Sequence, residues 1–431
     1  MRLLSSPYKE YRVSDNEWCE HIPAVWNETR VKNIFKLITD IAPNDNDFEL
    51  LSLYSSIGVR PRKDMEQRGN KSVTTDGYWI VRKGDIIVNK LLAWMGAIGL
   101  SEYDGVTSPA YDILRESNQN VDARFYTYLF RTEKSQAIFK KHSRGIMDVR
   151  LRLYFDKFGA MTVPFPPIAE QRSIAHYLDT KTAQIDRKID LLTQKATQYG
   201  NLKQSLINEA VTRGLDRSVV MKDSGIEWLG EVPEHWQVEK LKRISNVKRG
   251  ASPRPIDDPK YFDDIHGEYG WVRIEDVTKS SKYLLETKER LSKLGSSKSV
   301  KMKSGDIFLS IAGSVGKPII SKINCCIHDG FVYFVGLKQH IDFMYYLFNC
   351  ANIYSGLGKI GTQLNLNIEI VGGISIPLPP LSEQKAIAHY LDTKTAQIDQ
   401  IIQTINTQIE ALKELRKTLI NDVVTGKIKV V

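Results

Sequence analysis

The chain has 431 residues, of which 42% are hydrophobic and 26% charged, and 60 Lys and Arg against 51 Asp and Glu leave a net charge of +9. It contains no run of about 18 apolar residues, which excludes a membrane-spanning helix, and its first residues lack the apolar core of a secretory signal. The four cysteines show no C-x-x-C spacing, so we expect a cytoplasmic protein without a zinc site. The positive charge suits a polyanionic partner without establishing one.

The first predicted elements are short strands and helices. The segment GYWIVRKGDIIVNKLLAW at 77–94 is typical of strand, turn and strand, with Gly84 and Asp85 at the turn. The segment FYTYLFRTEKSQAIFKKH at 125–142 predicts a helix. Its aromatic residues are expected in the core rather than as base-stacking platforms, because their apolar area explains them adequately.

A long helix is predicted next, from Glu170 to the glycine at Gly214, after a proline-rich segment at 164–167. Apolar side chains recur in it every seven residues, at Leu178, Ile185, Leu192, Tyr199 and Leu206. Sustained heptads predict a coiled-coil seam, and 1.5 Å per residue gives a rod of roughly 60–65 Å.

The second half of the chain repeats the first. Residues 164–186 and 377–399 differ at only five of 23 positions, and the spacing of 213 continues without a gap to 418–425. KMKSGDIFLSIAG at 301–313 predicts the same strand, turn and strand, the segment around 343–348 predicts a helix, and heptads return at Leu391, Ile398, Ile405, Leu412 and Leu419. Such self-similarity indicates a duplicated architecture.

The predicted fold is therefore α+β, with two repeated mixed α/β domains, each followed by a long α-helix. A single amphipathic helix cannot bury its stripe alone, so we expect the two helices to pack as an antiparallel coiled coil about a pseudo-twofold axis. The predicted segments are 1–168, 169–214, 215–381 and 382–431. Loop lengths and loop sequences differ between the copies, which favours two domains that bind two different things.

The two helices differ at the second seam position. The first helix has Lys181, Lys188 and Lys195, whereas the second has Lys394, Ile401 and Gln408. Either the lysine stems cover the seam and hold their charges in water, or these positions face a partner protein.

No catalytic residue and no metal ligand set can be assigned. GLGKIG at 356–361 matches G-x-G-x-x-G but does not lead into a predicted helix, which the dinucleotide fingerprint requires. The aspartates at 257–258 and 263–264 have no counterpart in the first half, which favours a solvated loop over a metal nuclease. The Asn/Asp-Pro-Pro-aromatic tetrapeptide of amino-methyltransferases is absent.

The chain resembles the specificity (S) subunits of type I restriction-modification enzymes. The resemblance rests on PFPPIAEQ and PLPPLSEQ, on the two IAHYLDTKTAQID segments, on WLGEVPEHW at 228–236 and on the Gly-Asp-Ile turns at 84–86 and 305–307. It covers essentially the whole chain. In the first half the full WLGEVPEHW lead is reduced to IPAVW at 22–26.

That resemblance implies a non-catalytic subunit with two target-recognition domains, which read the two halves of a bipartite site in double-stranded DNA. The helices would set the spacer and dock two methyltransferase (M) subunits. These partners would bring S-adenosylmethionine and methylate adenine N6 after flipping the base. Restriction and translocase (R) subunits would bring ATP and Mg. The subunit itself would bind no cofactor and no membrane.

DNA contacts are expected from side chains that can reach base edges or phosphates and that lie in loops stiffened by Pro or Gly. The loops VRPRK (59–63) and KRGASPRP (248–255) are expected at comparable places in the two halves, and their candidates are Arg60, Arg62, Lys63, Lys248, Arg249, Ser252 and Arg254. Second-rank candidates are Asn89, Lys90, Arg144, Ser310, Lys317 and Lys359. For each of these residues the competing interpretation is an ordinary solvated side chain.

Two other function classes remain open from sequence. One is a self-contained modification enzyme with unrecognised motifs, and the other is a coiled-coil scaffold without a role in DNA binding. The variable loops on two repeated domains argue against the scaffold.

Overall fold

The structure is a computed structural model that describes residues 7–55, 57–64, 75–145, 151–357, 359–360, 363–364 and 366–430. The chain forms two compact units: unit 1 is Met1–Leu192 with Thr407–Val431, and unit 2 is Thr193–Asn406. Both units mix helices and strands, which confirms the predicted α+β class. The units follow spatial contacts, whereas the four segments follow chain order, and that linear division stays a prediction.

Unit 1 contains twelve described strands and four short helices before the first long helix. The strands are β1 (Tyr11–Val13), β2 (His21–Pro23), β3 (Asn27–Arg30), β4 (Phe35–Ile38), β5 (Leu51–Tyr54), β6 (Gly58–Pro61), β7 (Trp79–Val81), β8 (Ile86–Asn89), β9 (Ile98–Leu100), β10 (Gly105–Thr107), β11 (Tyr111–Glu116) and β12 (Thr162–Phe165). The helices are α1 (Val31–Ile34), α2 (Ala123–Phe130), α3 (Glu133–His142), α4 (Phe155–Phe158) and the long α5 (Ile168–Arg213), of which residues 193–213 belong to unit 2.

Unit 2 repeats this order with additional elements. Its strands are β13 (Met221–Asp223), β14 (Glu231–Pro233), β15 (Gln237–Lys240), β16 (Asn246–Arg249), β17 (Tyr269–Val272), β18 (Tyr283–Leu284), β19 (Glu289–Leu291), β20 (Val300–Met302), β21 (Ile307–Ser310), β22 (Pro318–Ser321), β23 (Cys325–Ile327), β24 (Phe331–Val335), β25 (Lys359–Ile360), β26 (Gln363–Leu364) and β27 (Ser375–Leu378). Its helices are α6 (Leu241–Ile244), α7 (Ile274–Lys279), α8 (Lys293–Ser297), α9 (Ile341–Phe348), α10 (Ile368–Gly373) and the long α11 (Leu381–Val424), of which residues 407–424 belong to unit 1.

Corresponding strands occupy corresponding places in the main sheets of the two units. The antiparallel order β4-β11-β8-β9 in unit 1 matches β16-β24-β21-β22 in unit 2, where β18 adds a parallel edge. A second pairing, β7 with β10, matches β20 with β23. The predicted Gly-Asp turns lie between these sheets, and Gly84 and Gly305 adopt φ values of 95° and 97°, which favour glycine.

The two long helices pair antiparallel, as predicted. In unit 1 the first half of α5 packs against the last half of α11, through Ile174, Leu178, Leu419 and Val423. In unit 2 the last half of α5 lies in one core with the first half of α11. Each helix therefore finds its apolar partner on the other helix, and the aromatic residues of α2 and α9 complete the two cores as expected.

Equivalent ion pairs join the helices in both units. Arg416 Nε lies 3.0 Å from an Asp186 carboxylate oxygen in unit 1, and Lys203 Nζ lies 2.7 Å from an Asp399 carboxylate oxygen in unit 2. Both partners of one pair are 213 residues away from their counterparts in the other. The duplication is therefore preserved in side-chain contacts as well as in sequence.

The repeated Glu-Gln pair at the start of each long helix has a structural role. The indole nitrogens of Trp26 and Trp236 each donate a hydrogen bond of 3.0 Å, to Glu170 and Glu383 respectively. The following glutamine in each copy donates to a proline carbonyl of the preceding segment, at 2.8 Å for Gln171. These buried contacts explain why this motif recurs almost unchanged while the loops differ.

We expect Glu170→Ala and Glu383→Ala each to lower the free energy of unfolding by about 1–3 kcal/mol, because each removal strands a buried indole N–H. Glu→Gln at the same positions keeps an acceptor and is expected to cost less. Urea unfolding followed by tryptophan fluorescence measures both. Alanine variants that unfold at the wild-type urea concentration would contradict the assignment.

All four cysteines are buried and free of disulfides. Burial raises the pKa of the Cys19 and Cys325 thiols to about 11 and that of Cys326 to about 12, and it also raises the pKa of Cys350. Because only the thiolate is nucleophilic, we expect the native protein to react slowly with a chromogenic disulfide reagent at pH 8. The control is the urea-unfolded chain, which should release four equivalents promptly. Rapid native reaction of any thiol would show that its burial is incomplete.

Candidate nucleic-acid interface

A single acidic residue gathers the basic cluster of unit 2. Asp329 lies in the turn between β23 and β24, and its carboxylate accepts hydrogen bonds from Ser252 Oγ at 2.9 Å and from an Arg254 guanidinium nitrogen at 2.8 Å. The main-chain carbonyl of Asp329 accepts a hydrogen bond from Arg249 Nε. Three residues predicted from one loop thus contact one aspartate, two through its carboxylate and one through its main-chain carbonyl, and we call this group the Asp329 cluster.

The charge of Asp329 is held by its neighbours. Partial burial favours the neutral acid, but the Ser252 hydrogen bond and the charges of Arg254 and Arg249 outweigh it and lower the pKa of this carboxyl. The arginines are therefore oriented by an ionised partner near neutral pH. An oriented guanidinium is suited to bidentate contacts with phosphates or guanine edges.

Close packing makes the turn of the Asp329 cluster rigid. A Cβ on Gly250 would lie 2.1 Å from the His328 carbonyl oxygen, so only glycine permits this approach of β16 to the turn. The His328 ring packs against Phe331 at a centroid distance of 4.6 Å and accepts a hydrogen bond from the Gly330 N–H. Burial lowers the pKa of His328, which keeps the ring neutral and able to accept at pH 7. Lys248 is exposed on the neighbouring strand β16.

The candidates in unit 1 lie on strand β6 and the short turn after it. Arg60 is half-buried, with one guanidinium nitrogen 3.5 Å from the Tyr103 hydroxyl. The Arg62 main-chain N–H donates to the Leu50 carbonyl at 2.8 Å, and Lys63 forms an exposed ion pair with Glu49. Arg60 therefore lies within β6, and Arg62 and Lys63 lie in the turn directly after it.

The expectation that the two basic loops occupy comparable places is wrong. KRGASPRP begins on β16, whose counterpart in unit 1 is β4. VRPRK lies on β6, which pairs with β5 as β19 pairs with β17. The two loops thus lie on different strands, because a similar composition does not fix the place of a loop in the strand order.

Two second-rank candidates lack the surface access that a base contact requires. Asn89 and Ser310 occupy equivalent strand ends, but only 7% and 0% of their surface is exposed. The Asn89 side chain accepts from the Leu91 N–H at 3.0 Å, and Ser310 Oγ donates to the Ala312 carbonyl at 2.7 Å. Both side chains instead hold the turns that follow them.

The other second-rank candidates have varied surroundings. Lys90 forms an ion pair of 3.2 Å with Asp112, and Lys317 donates to the Ser280 carbonyl at 2.7 Å, while burial lowers the pKa of Lys317. Arg144 is exposed and lies 3.9 Å from Asp156. Lys359 lies in β25, but its side chain is outside the described residues. Thus only Arg144 of these four presents a described, largely exposed cation.

Sequence reasoning missed Asp329, because a search for basic residues passes over the carboxylate that orients them. The only signal was its place in a His-Asp-Gly turn, 75 residues after Arg254. Within the described ranges, no group of three His, Cys, Asp or Glu side chains is arranged to hold a metal ion. The described helices include none long and apolar enough to cross a membrane.

The middle of the long helices exposes polar groups at the seam. Lys188 and Lys195 of α5 are exposed, as are Lys394 and Gln408 of α11. Lys195 Nζ lies 6.0 Å from the Tyr199 ring centroid, so its stem runs along the helix surface. This placement fits both interpretations of the lysines, solvated heads or a partner-facing surface.

Comparisons with known proteins agree on one family. The family model described as "Type I restriction modification DNA specificity domain" matches residues 23–198 and 233–411. The MjaVIII specificity subunit of Methanocaldococcus jannaschii is 26% identical over 100% of this chain and 99% of its own length. The EcoBI specificity subunit of Escherichia coli is 23% identical over 62% of this chain and 58% of its own.

Solved structures share the fold at low identity. A chain from a structure that concerns complex assembly and conformational transition of the type I R-M system covers 94% of this chain and 99% of its own, with a TM-score of 0.74 and 17% identity. The HsdS subunit from Thermoanaerobacter tengcongensis covers 94% of this chain and 98% of its own, with a TM-score of 0.57 and 18% identity.

Proposed function

This chain belongs to the type I restriction-modification DNA specificity family, and on that premise we propose that its two recognition domains read the two halves of a split, asymmetric DNA site. It is a specificity subunit, a recognition protein rather than an enzyme. Each domain would read one half-site, and the base pairs between the half-sites would remain unread.

One observation carries the proposal: the scaffold is duplicated in detail while the exposed loops are not. The Trp26–Glu170 contact recurs as Trp236–Glu383, and Asp186–Arg416 recurs as Asp399–Lys203. By contrast, the strand of unit 1 that is equivalent to β16, β4, carries one lysine, Lys36, and no arginine, so the arginines of the Asp329 cluster are not repeated there. Two identical supports with different loops suit the reading of two different sequences.

The paired helices would set the length of the unread spacer, and their exposed polar seam positions would dock two methyltransferase subunits. Those subunits would bring S-adenosylmethionine and methylate adenine N6 in a flipped base. Restriction and translocase subunits would supply the steps that use ATP and Mg. We place the complex in the cytoplasm, where four unpaired thiols stay reduced.

Sequencing methylated adenines in a host that carries the gene, and in one that lacks it, tests this function. We expect a bipartite motif that is methylated only in the carrier. A host without any new methylated motif would contradict the proposal.

The rival function, a self-contained modification enzyme, makes a different prediction for the purified chain. Given S-adenosylmethionine and target DNA but no partner, the chain should transfer no methyl groups if it is only a recognition subunit. The control adds the methyltransferase subunits, which should restore transfer. Methyl transfer by the chain alone would favour the rival. A gel shift of the assembled complex separates DNA recognition from a pure scaffold.

A further inference from the structure

Unit 1 presents a group of exposed apolar side chains on the turn between β8 and β9. The exposed fractions are 38% for Leu91, 43% for Leu92 and 51% for Met95. We call these three residues the apolar turn. Single exposed apolar residues are ordinary on a protein surface, but three within five positions at one tip form a patch that needs an explanation.

The apolar turn is rigid. The Asn89 side chain accepts from the Leu91 N–H, the Met95 N–H donates to the Leu92 carbonyl at 2.9 Å, and the Ala97 N–H donates to the same carbonyl at 3.1 Å. A Cβ on Gly96 would lie 3.0 Å from the Gln136 side chain, so the end of the turn is in contact with α3. These hydrogen bonds thus fix the backbone from which the three exposed side chains project.

The surroundings of the apolar turn are basic. Lys140 Nζ lies 5.4 Å from the Trp94 ring centroid, and the Lys90 carbonyl accepts from the Leu153 N–H at 2.9 Å. That contact brings in Arg152, which is exposed and pairs through its backbone with the exposed Arg144. Of the cations at 90, 140, 144 and 152, Lys90 forms an ion pair with Asp112 and Arg144 forms one with Asp156.

The equivalent turn of unit 2 differs in chemistry. It connects β21 and β22 and reads Ile311 to Lys317, all of which the structure describes. Ile311 is buried there, and Ala312, Gly313 and Ser314 occupy the tip. A Ser314 hydroxyl contact of 2.8 Å with Thr278 adds a polar group. The same place in the fold is therefore apolar in one unit and small and polar in the other.

We infer that the apolar turn reads thymine methyl groups in the major groove of the half-site recognised by the first domain. The inference rests on the proposed function and adds a base-reading surface to it. The thymine C5-methyl is the apolar feature of the major groove, and aliphatic side chains contact it there. The flanking cations favour DNA over an apolar protein surface, because they match the phosphates on either side of the groove.

The test uses the chain assembled with its methyltransferase partners and a duplex of the target motif found by methylation sequencing. Thymines in each half-site are replaced separately by deoxyuridine, which lacks only the methyl group. We expect the wild-type complex to bind about fourfold more weakly for each methyl removed from one half-site, since burying a methyl group is worth about 0.8 kcal/mol. The triple variant Leu91→Ala, Leu92→Ala, Met95→Ala should bind the duplex with thymine and the duplex with deoxyuridine in that half-site equally.

Val13→Ala is the matched control, because Val13 is an exposed aliphatic residue of unit 1 that lies on β1, outside the apolar turn. It should keep the wild-type preference for thymine. A wild-type complex that ignores the methyl groups in both half-sites overturns the inference without any variant, as does a triple variant that keeps the wild-type preference or loses its methyltransferase partner instead. A complex that selects no bipartite sequence at all overturns the proposed function itself.

Discussion

Replacing Val424 by aspartate is expected to lower the free energy of unfolding of unit 1 by about 4 kcal/mol, because it buries a charge without a partner. Val424 is fully buried in the unit 1 core near the end of α11. It lies far along the chain from the rest of that core, so the effect tests whether unit 1 requires the last helix. Hydrogen exchange followed by mass spectrometry locates the loss of protection.

The duplication supplies matched controls for this experiment. Val211 stands 213 residues before Val424 and is fully buried in the core of unit 2, so Val211→Asp should remove protection from unit 2 instead. Thr418→Asp and Ser205→Asp place the same charge at exposed positions of the same helices and should be nearly neutral. Val424→Asp with full protection of unit 1 would contradict the pairing of the helices.

Replacing Arg254 by alanine should weaken specific DNA binding by about 1–3 kcal/mol if its guanidinium contacts a base edge. Arg62→Ala, in unit 1, should have a loss of the same order if Arg62 plays the same part. Titrations with target and random duplexes at several salt concentrations measure the loss. Equal losses on both duplexes, with a salt slope smaller by about 1, would assign Arg254 to a phosphate.

Lys303→Ala is the charge-matched control for Arg254. Lys303 is exposed before β21, at the end of that strand opposite to the Asp329 turn. Its removal lowers the net charge by the same amount and should leave the preference for the target unchanged. If Lys303→Ala reduced that preference as strongly as Arg254→Ala, bulk charge rather than the Asp329 cluster would govern recognition.

For Asp329→Ala we expect weaker binding of the target, which is the opposite of what the change in net charge alone predicts. Asp329→Ala makes the protein more positive, yet it releases Ser252 and Arg254 from their shared acceptor. We expect random duplex to bind as well as before or better, while the target binds more weakly, because an unoriented arginine loses entropy on making a base contact. Tighter binding of the target would argue against an orienting role for Asp329.

The two units reach DNA through different surfaces if these expectations hold. Unit 2 would use oriented arginines on the β16 side of its main sheet, and unit 1 would use β6 and the apolar turn after β8. Replacing a single loop would therefore change the bases that a unit recognises while the scaffold stays intact. The scaffold is held by the Trp–Glu contacts and the ion pairs between the helices, which do not depend on loop sequence.

The duplication, the α+β class and the antiparallel helices were all predictable from the order of the amino acids. Heptads and repeats are periodic along the chain. The burial of residues such as Leu178 and Leu419 can therefore be predicted even when the strand order is unknown. The sequence also predicted the Gly-Asp turns, because the left-handed backbone at Gly84 and Gly305 requires glycine at each place.

Which basic residues lie together and which polar residues are buried depends on the three-dimensional fold. Asp329 meets Arg254 across 75 residues, and VRPRK and KRGASPRP lie on non-equivalent strands. Asn89 and Ser310 are polar residues of types that are common on protein surfaces, but the side chain of each is hydrogen-bonded within a turn. These placements depend on strand pairing between distant segments, and the pairing is set by the sum of many contacts rather than by any local pattern.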